Sequence, residues 1–353
     1  GRFERFNAMV KPGYFRFYLH ARRWLLKAVS SGRRFDIVHQ VAPLALRYPC
    51  PAVGLGLPIV LGPIAGSLNT PATFRHDTNS DPWFVQLRWL DRWRFRYDPW
   101  LRASFQQASV IIGVAPYVRN LLEDVHVRRF VTCSETGVIQ LPPRKAEGNH
   151  ASTLKLLYVG RIIRTKGLRD TIRALGLLRA DFDWHLDVLG DGPDRSRCQQ
   201  ECEQLKLTDR IVFHGRVPRK EVDTFYRQAD VFVFPSFREP SGNVVIEAMS
   251  HGLPCIVSDR GGPAEAITND CGFRIPIYNP QQYASEIAGA IRLLAQNFEL
   301  RNEMGRNARE RVRDVFLWPR KIEWISNLYQ ELLDNCAICR DPEATALEAF
   351  TMQ

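Results

Sequence analysis

The sequence predicts an α/β protein built from two Rossmann-like domains that face each other across a cleft. Three observations predict it. The chain has 353 residues, more than one ordinary core holds and enough for two domains. Short apolar runs alternate with segments of helical periodicity, the order that makes a parallel sheet covered by helices. That rhythm halts at a polar, proline-containing stretch, residues 141–152, and then starts again. The reading is therefore a first domain over 1–140, a linker over 141–152, a second domain over 153–317, and a C-terminal helix and tail over 318–353.

The opening element is a helix over Tyr14–Val29. Tyr14, Phe17, Tyr18, Ala21, Leu25 and Ala28 recur at helical spacing, with Arg16, His20, Arg23 and Lys27 striped opposite. Such a helix either packs on its domain or lies on an anionic membrane surface. Phe35–Val41, Ile59–Gly62 and Ser109–Val114 read as strands, and Pro99–Gln107 and Pro116–Asp124 as helices. Residues 83–102 interleave Trp83, Trp89, Trp93 and Trp100 with Arg88, Arg92, Arg94, Arg96 and Arg102.

Beyond the linker the predicted strands are Leu154–Val159, Trp184–Leu189, Ile211–His214, Val231–Phe234 and Pro254–Ser258. Between them fall predicted helices over Gly167–Leu178, Arg195–Leu205, Lys220–Gln228 and Asn243–His251. Three more follow, over Gln282–Ala295, Leu300–Val315 and Pro319–Leu333.

Composition narrows the partners. The charge of +10 is unevenly placed. Residues 1–150 carry 21 Lys and Arg against 10 Asp and Glu, net +11, and the remainder carries 27 against 28, net −1. The basic excess therefore belongs to the first domain. The eight cysteines have no framework spacing, which fits a reduced interior. Cys336 and Cys339 form a lone C-x-x-C without the second pair that zinc needs. The longest uncharged stretch, Tyr48–Phe74, is broken by five prolines and does not read as a membrane span.

Two constellations carry chemistry. In "LYVGRIIRTKG" a strand ends at Gly160, Arg161 follows, and Lys166 precedes a helix start. Ligands of open α/β sheets sit beyond the carboxyl ends of the strands. A glycine there admits a phosphate, a helix N-terminus favours an anion, and two cations suit a diphosphate. In "PSFREPSGNVVIEAMSHGLPCIVSD", Glu239 and Glu247 lie eight apart around a helix start. The amides of Ser241, Gly242, Asn243 and Val244 would point at an anion. Glu247 is placed to accept hydrogen bonds from a ribose diol, and Glu239 sits on the loop. A D-x-D triplet, Asp181-Phe182-Asp183, precedes its strand, at the wrong end for the cleft, and reads as a solvated turn.

The ordered set GR-x4-KG, "VLGDGP", "FHGRV", P-S-x2-E-x7-E-A-M-x2-G-x-P and "GGPAE" resembles the retaining glycosyltransferases of family 4, the group 1 glycosyl transferases with the GT-B fold. The likeness is dense across 151–315. "DIVHQVAP", "VLGPIAGS" and "ETGV" look like segments of that family's acceptor domain. The resemblance implies that Arg161 and Lys166 hold the donor diphosphate and Glu247 the ribose. Glu239 and the amides around Ser241, Gly242 and Asn243 would meet the transferred sugar and phosphates. Gly190, Gly192 and Val217 would line the base pocket. It also implies transfer with retention, the leaving phosphate deprotonating the acceptor. The cations at the strand ends and the misplaced D-x-D predict no catalytic metal and no cofactor.

The expected partners are a UDP- or GDP-sugar donor, a glycan, lipid-linked or small-molecule acceptor, and an anionic membrane surface, but no nucleic acid. The expected location is cytoplasmic, peripheral on the inner face of the membrane. The alternatives are a nucleotide-sugar 2-epimerase-like isomerase and a catalytically impaired binding module. Val41 stands where many relatives carry a histidine facing the reacting sugar, and Ala115 where a serine or threonine is common. No strand and glycine-rich loop precede Phe35, and Gly1 opens the chain in place of Met. Both features predict a truncated first domain.

Overall fold

The computed structural model describes residues 11, 13–66, 68–75, 89–143 and 153–340; of residues 89, 90, 92 and 336–340 it describes the backbone alone. Most of the expected linker, along with Trp83, Arg88 and the Cys336 and Cys339 side chains, lies outside the described residues. The chain divides into two compact units. One comprises Gly1–Ser67, Pro82–Glu135 and Ile322–Gln353, the other Leu68–Asp81 and Thr136–Lys321. This division is not the linear one read from sequence.

The first unit opens with helix α1 (Tyr14–Ser30). Strands β1 (Val38–Gln40) and β2 (Ile59–Ile64) follow, then helices α2 (Trp89–Tyr97) and α3 (Pro99–Gln107). Strand β3 (Val110–Gly113), the single helical turn α4 (Tyr117–Asn120) and strand β4 (Phe130–Thr132) complete the run. The sheet is parallel throughout, in the order β1-β2-β3-β4. Asp98 fixes the start of α3 by accepting from the Trp100 and Leu101 amides, both at 3.1 Å, with Pro99 at the first helical position.

Strand β3 is apolar at every position because both its faces are covered. Ile111 packs with Leu61, Leu101 and Phe105, while Val110 and Ile112 pack with Val60 and Leu328. The helix expected over Pro116–Asp124 is shorter than its sequence suggested. It stops at Asn120, and turns carry the chain on. Strand β4 was not foreseen, because a three-residue, half-exposed edge strand shows no alternation.

The second unit runs through β5 (Thr153–Val159), α5 (Leu168–Leu177), β6 (Asp183–Leu189), α6 (Arg195–Gln204), β7 (Ile211–Gly215), α7 (Arg219–Gln228) and β8 (Val231–Phe234). It continues with α8 (Asn243–Ser250), β9 (Cys255–Ser258), α9 (Gly261–Ala266), β10 (Gly272–Ile275), α10 (Pro280–Gln296) and α11 (Phe298–Arg311). The strand order is β10-β9-β8-β5-β6-β7, all parallel. The chain builds outward from β5 to β7, then jumps back to lay β8 on the other side of β5. That reversal is a topological switch point, where the loops after two neighbouring strands diverge and leave a crevice.

The last helix, α12 (Trp318–Arg340), begins in the second unit, and from Ile322 onward it counts with the first. Leu328 and its partly buried neighbours Ile325, Tyr329 and Leu332 close the apolar face of the first sheet. Residues 68–75 run the other way. They follow β2 of the first sheet but pack on the second unit. Phe74 is wholly buried there, stacked on Phe237 at 4.6 Å between ring centres and edge-on to Tyr283 at 6.0 Å.

The Arg164 guanidinium lies over Phe74 and Phe237, at 4.8 and 5.3 Å. It also makes a two-pronged ion pair with the fully buried Asp170, at 2.5 and 3.1 Å. Removing one member of a buried pair leaves a desolvated charge, which costs about 3–5 kcal/mol. Asp170→Ala is therefore expected to lower unfolding stability by that amount in a urea titration. A loss below about 1 kcal/mol would show that the pair does not hold this turn.

Candidate active site

The crevice at the switch point is lined by two loops. The first leaves β5 at Val159 and runs through Gly160 and Arg161 into a tight turn, Arg164–Lys166, before α5 begins. The second leaves β8 at Phe234 and runs to Gly242, where α8 starts. They are sewn together at one atom. The Thr165 carbonyl accepts from the Ser236 hydroxyl at 3.0 Å and from the Phe237 amide at 3.1 Å. The second loop is held from behind as well. Tyr283 donates to the Pro235 carbonyl at 2.9 Å, and the Ser258 hydroxyl donates to the Ser236 carbonyl.

Glycine is required where the loops touch. Gly167 has φ +78°, and a Cβ there would overlap the Pro235 carbonyl. Gly190 has φ +134° and lies against the Gly160 carbonyl, while Gly192 lies against that of Ile162. The close passage of the loops after β5 and β6 thus accounts for both glycines of "GDGP". Gly160 itself faces the Phe234 ring. Val217, half-buried, packs on the core of the second unit beyond β7.

This stitching brings Lys166 against Glu239, and the two form an ion pair. Burial, followed by the guanidiniums of Arg161 and Arg238, nevertheless pulls the Lys166 ammonium down to about 7. Arg161 is exposed. Arg238, which sequence reasoning missed, donates to the Thr70 hydroxyl at 3.1 Å. Gly242 enters α8 with φ +81°, and no side chain caps the helix, so the amides of Asn243 and Val244 face the crevice end without an intrahelical partner. Ser241 is half-buried on the same loop. Lys166 on Glu239, the nearby guanidiniums of Arg161 and Arg238, and a helix N-terminus suit an anion with several oxygens.

Glu247 lies in the second turn of α8, and both its oxygens are engaged. Arg219 donates to Oε1 at 2.7 Å and the Tyr226 hydroxyl to Oε2 at 3.2 Å. Tyr226 is fully buried, which pushes its phenol well above the usual tyrosine range. Neither Tyr226 nor Arg219 was singled out from sequence; each meets Glu247 only through the packing of α7 beside α8.

Other expected residues lie elsewhere. His39 sits on β1 with Nε2 on the Gly62 carbonyl at 2.6 Å and Nδ1 against the Tyr329 hydroxyl, and burial lowers its pKa. It is a packed strand residue. Asp183 is the first residue of β6, at the opposite end from the crevice, 3.8 Å from Arg210, and Asp181 pairs with Arg292 at 2.7 Å. Among the described residues, no three His, Cys, Asp or Glu side chains form a metal-binding group.

Residues 143–311 match the model of the family described as glycosyl transferases group 1. The match takes in the second unit from β5 through α11. The chain is similar to the D-inositol 3-phosphate glycosyltransferase of Paenarthrobacter aurescens, 30% identical over 202 residues, which are 56% of this chain and 48% of that protein. The chain spans about half the length of the curated relatives it matches.

Among solved structures, a glycosyltransferase from Rickettsia africae is 19% identical, with a TM-score of 0.60, over 90% of this chain and 82% of that one. The Anabaena protein HepE, solved with UDP and glucose, is 16% identical with a TM-score of 0.55, over 88% and 80%. These likenesses place both units in the GT-B fold. The family match ends at Arg311, the last residue of α11.

Gly167 gives a direct test of the loop contact. A left-handed alanine costs about 1–2 kcal/mol, and overlap with the Pro235 carbonyl adds about 1–3 kcal/mol. Gly167→Ala should lower the thermal midpoint accordingly, while Gly289→Ala, on the open face of α10, should leave it unchanged or higher. Equal midpoints for the two variants would show that the loops are not in contact.

Proposed function

We propose that this chain is a retaining, metal-independent glycosyltransferase of the family 4 type, moving a sugar from a UDP- or GDP-sugar to a hydroxyl acceptor in cell-envelope glycan, polysaccharide or glycolipid synthesis, in the cytoplasm. One observation carries the reading: Arg161, Lys166 and the uncapped N-terminus of α8 converge at the switch point beside a single carboxylate, Glu239. The relatives support it, being glycosyltransferases rather than isomerases, and one structural neighbour was solved with UDP and glucose.

In this reading the donor diphosphate sits between Arg161, Lys166 and the amides of Asn243 and Val244. As the bond from the anomeric carbon to the phosphate oxygen breaks, the electron pair stays on the diphosphate, and these fixed charges stabilise it without reorganising. The acceptor oxygen bonds to the anomeric carbon on the same face, and its proton passes to the departing phosphate. Glu239 relinquishes Lys166 to the diphosphate and turns to the hydroxyls of the transferred sugar. Glu247 exchanges Arg219 for the ribose diol while Tyr226 holds its other oxygen. Gly190, Gly192 and Val217 border the space for the base. The acceptor is a glycan, a lipid-linked sugar or a small molecule.

Lys166→Ala and Arg161→Ala should each weaken UDP- or GDP-sugar binding by about 1.5–3 kcal/mol, read by calorimetry, without loss of fold. Unchanged affinity in both would refute the diphosphate site. Glu247→Ala should weaken binding likewise, with Glu247→Asp recovering part of it. EDTA should leave turnover unchanged; loss on chelation with recovery in Mn²⁺ would overturn metal independence.

The pH dependence follows from Lys166. Its folded pKa is depressed to about 7, and an anion beside it raises that value, so donor binding takes up a proton. Affinity should be greatest below pH 7, fall as pH rises through the free pKa, and level off above the bound one. Lys166→Arg should flatten the profile, because arginine stays charged throughout.

A further inference from the structure

We propose that the outward face of α1 docks the first unit on an anionic lipid surface. Tyr14, Tyr18 and Ala28 face the core. At 3.6 residues per turn, His20, Arg16, Arg23 and Lys27 form a stripe on the opposite side, and all four are exposed. Phe15 and Leu26 flank that stripe on one edge, Phe17 and Trp24 on the other; they are 56%, 47%, 56% and 54% exposed.

The helix contains no acidic residue. Among the described residues, no carboxylate pairs with Arg16, Arg23 or Lys27. Exposed aromatic rings also stand on two other helices of this unit. Trp100 of α3 stacks on Tyr18 at 6.4 Å and is 58% exposed, and Trp93 and Tyr97 of α2, 5.6 Å apart, are 56% and 57% exposed. Residues 1–67 and 82–135 of this unit carry 18 Lys and Arg against 7 Asp and Glu.

The mixture selects the partner. A soluble polyanion would satisfy the cations but offers no apolar phase to Phe15, Leu26, Phe17 and Trp24. An anionic leaflet takes both, with guanidinium and ammonium groups among the headgroups and the rings at the interface. Among the described residues, no helix is long and apolar enough to cross a membrane, so the attachment is peripheral.

Flotation with vesicles tests this. The chain should float with phosphatidylglycerol–phosphatidylcholine vesicles and remain behind with pure phosphatidylcholine. Salt that shortens the Debye length to about 3 Å should release it. Each basic residue near such a surface changes partitioning by about fivefold. Arg16→Glu, Arg23→Glu and Lys27→Glu together should therefore cut binding at least tenfold, and Phe17→Ser with Trp24→Ser should weaken it at unchanged charge.

No flotation at low salt, or flotation undiminished by the triple variant, overturns the proposal. Retention on heparin without flotation overturns it in favour of a soluble polyanion. Calorimetry with the donor on the triple variant keeps this result apart from the catalytic reading. None of the three residues belongs to the donor site, so donor affinity should be unchanged whichever way the vesicles behave.

Discussion

The candidate site depends on one backbone oxygen. Strand order places β8 beside β5, so the loops leaving both emerge together, but adjacency alone does not set their spacing. The Thr165 carbonyl does, because it accepts from the hydroxyl and the amide of two successive residues on the facing loop. A hydrogen bond of this kind contributes about 1 kcal/mol in net stability. Its larger effect is geometric. It fixes Lys166 on one loop opposite Glu239 on the other, and it requires the backbone of Gly167 to pass where no side chain fits.

The electrostatics follow from that geometry. Two loops carrying Arg161, Lys166 and Arg238 would repel each other if nothing neutral or negative stood between them. Glu239 supplies the negative charge locally, and the Arg164–Asp170 pair behind the turn balances a fourth cation without drawing on Glu239. The Lys166–Glu239 pair therefore stands beside two guanidiniums in a partly desolvated place. Glu247 shows the same pattern further along α8: with Arg219 and Tyr226 on its two oxygens, the carboxylate is already oriented and partly dry.

Much of this could be read from sequence, and the parts that could not share a cause. Val231–Phe234 and Pro99–Gln107 were legible to the residue: one is an unbroken apolar run, the other is bounded by Asp98 and Pro99. Lys166, Glu239 and Glu247 were legible because they sit at strand ends and helix starts, positions that a motif marks. Strands β4 and β10 were missed because three or four residues carry too little periodicity. Helix α9, "GGPAEA", was missed because its glycines argue against a helix. Gly261 and Gly262 are there because the Glu239 and Ser241 carbonyls lie against them. Arg238, Tyr226 and Phe74 act through contacts distant in sequence, and no local pattern announces such contacts. The return of α12 to the first sheet is of the same kind.

Phe74 has a consequence for how this chain can be inherited. Its ring fills a socket made by the Phe237 and Tyr283 rings and the Arg164 guanidinium in the second unit, yet it is encoded before β3 of the first. The chain passes between the units four times, so no single cut separates them. Recombination at the apparent linker would join residues 68–75 of one protein to a socket made for another's. Modularity in this architecture is therefore conditional. The parts before and after the apparent linker can be traded only among chains whose residues 68–75 and 235–239 have remained compatible.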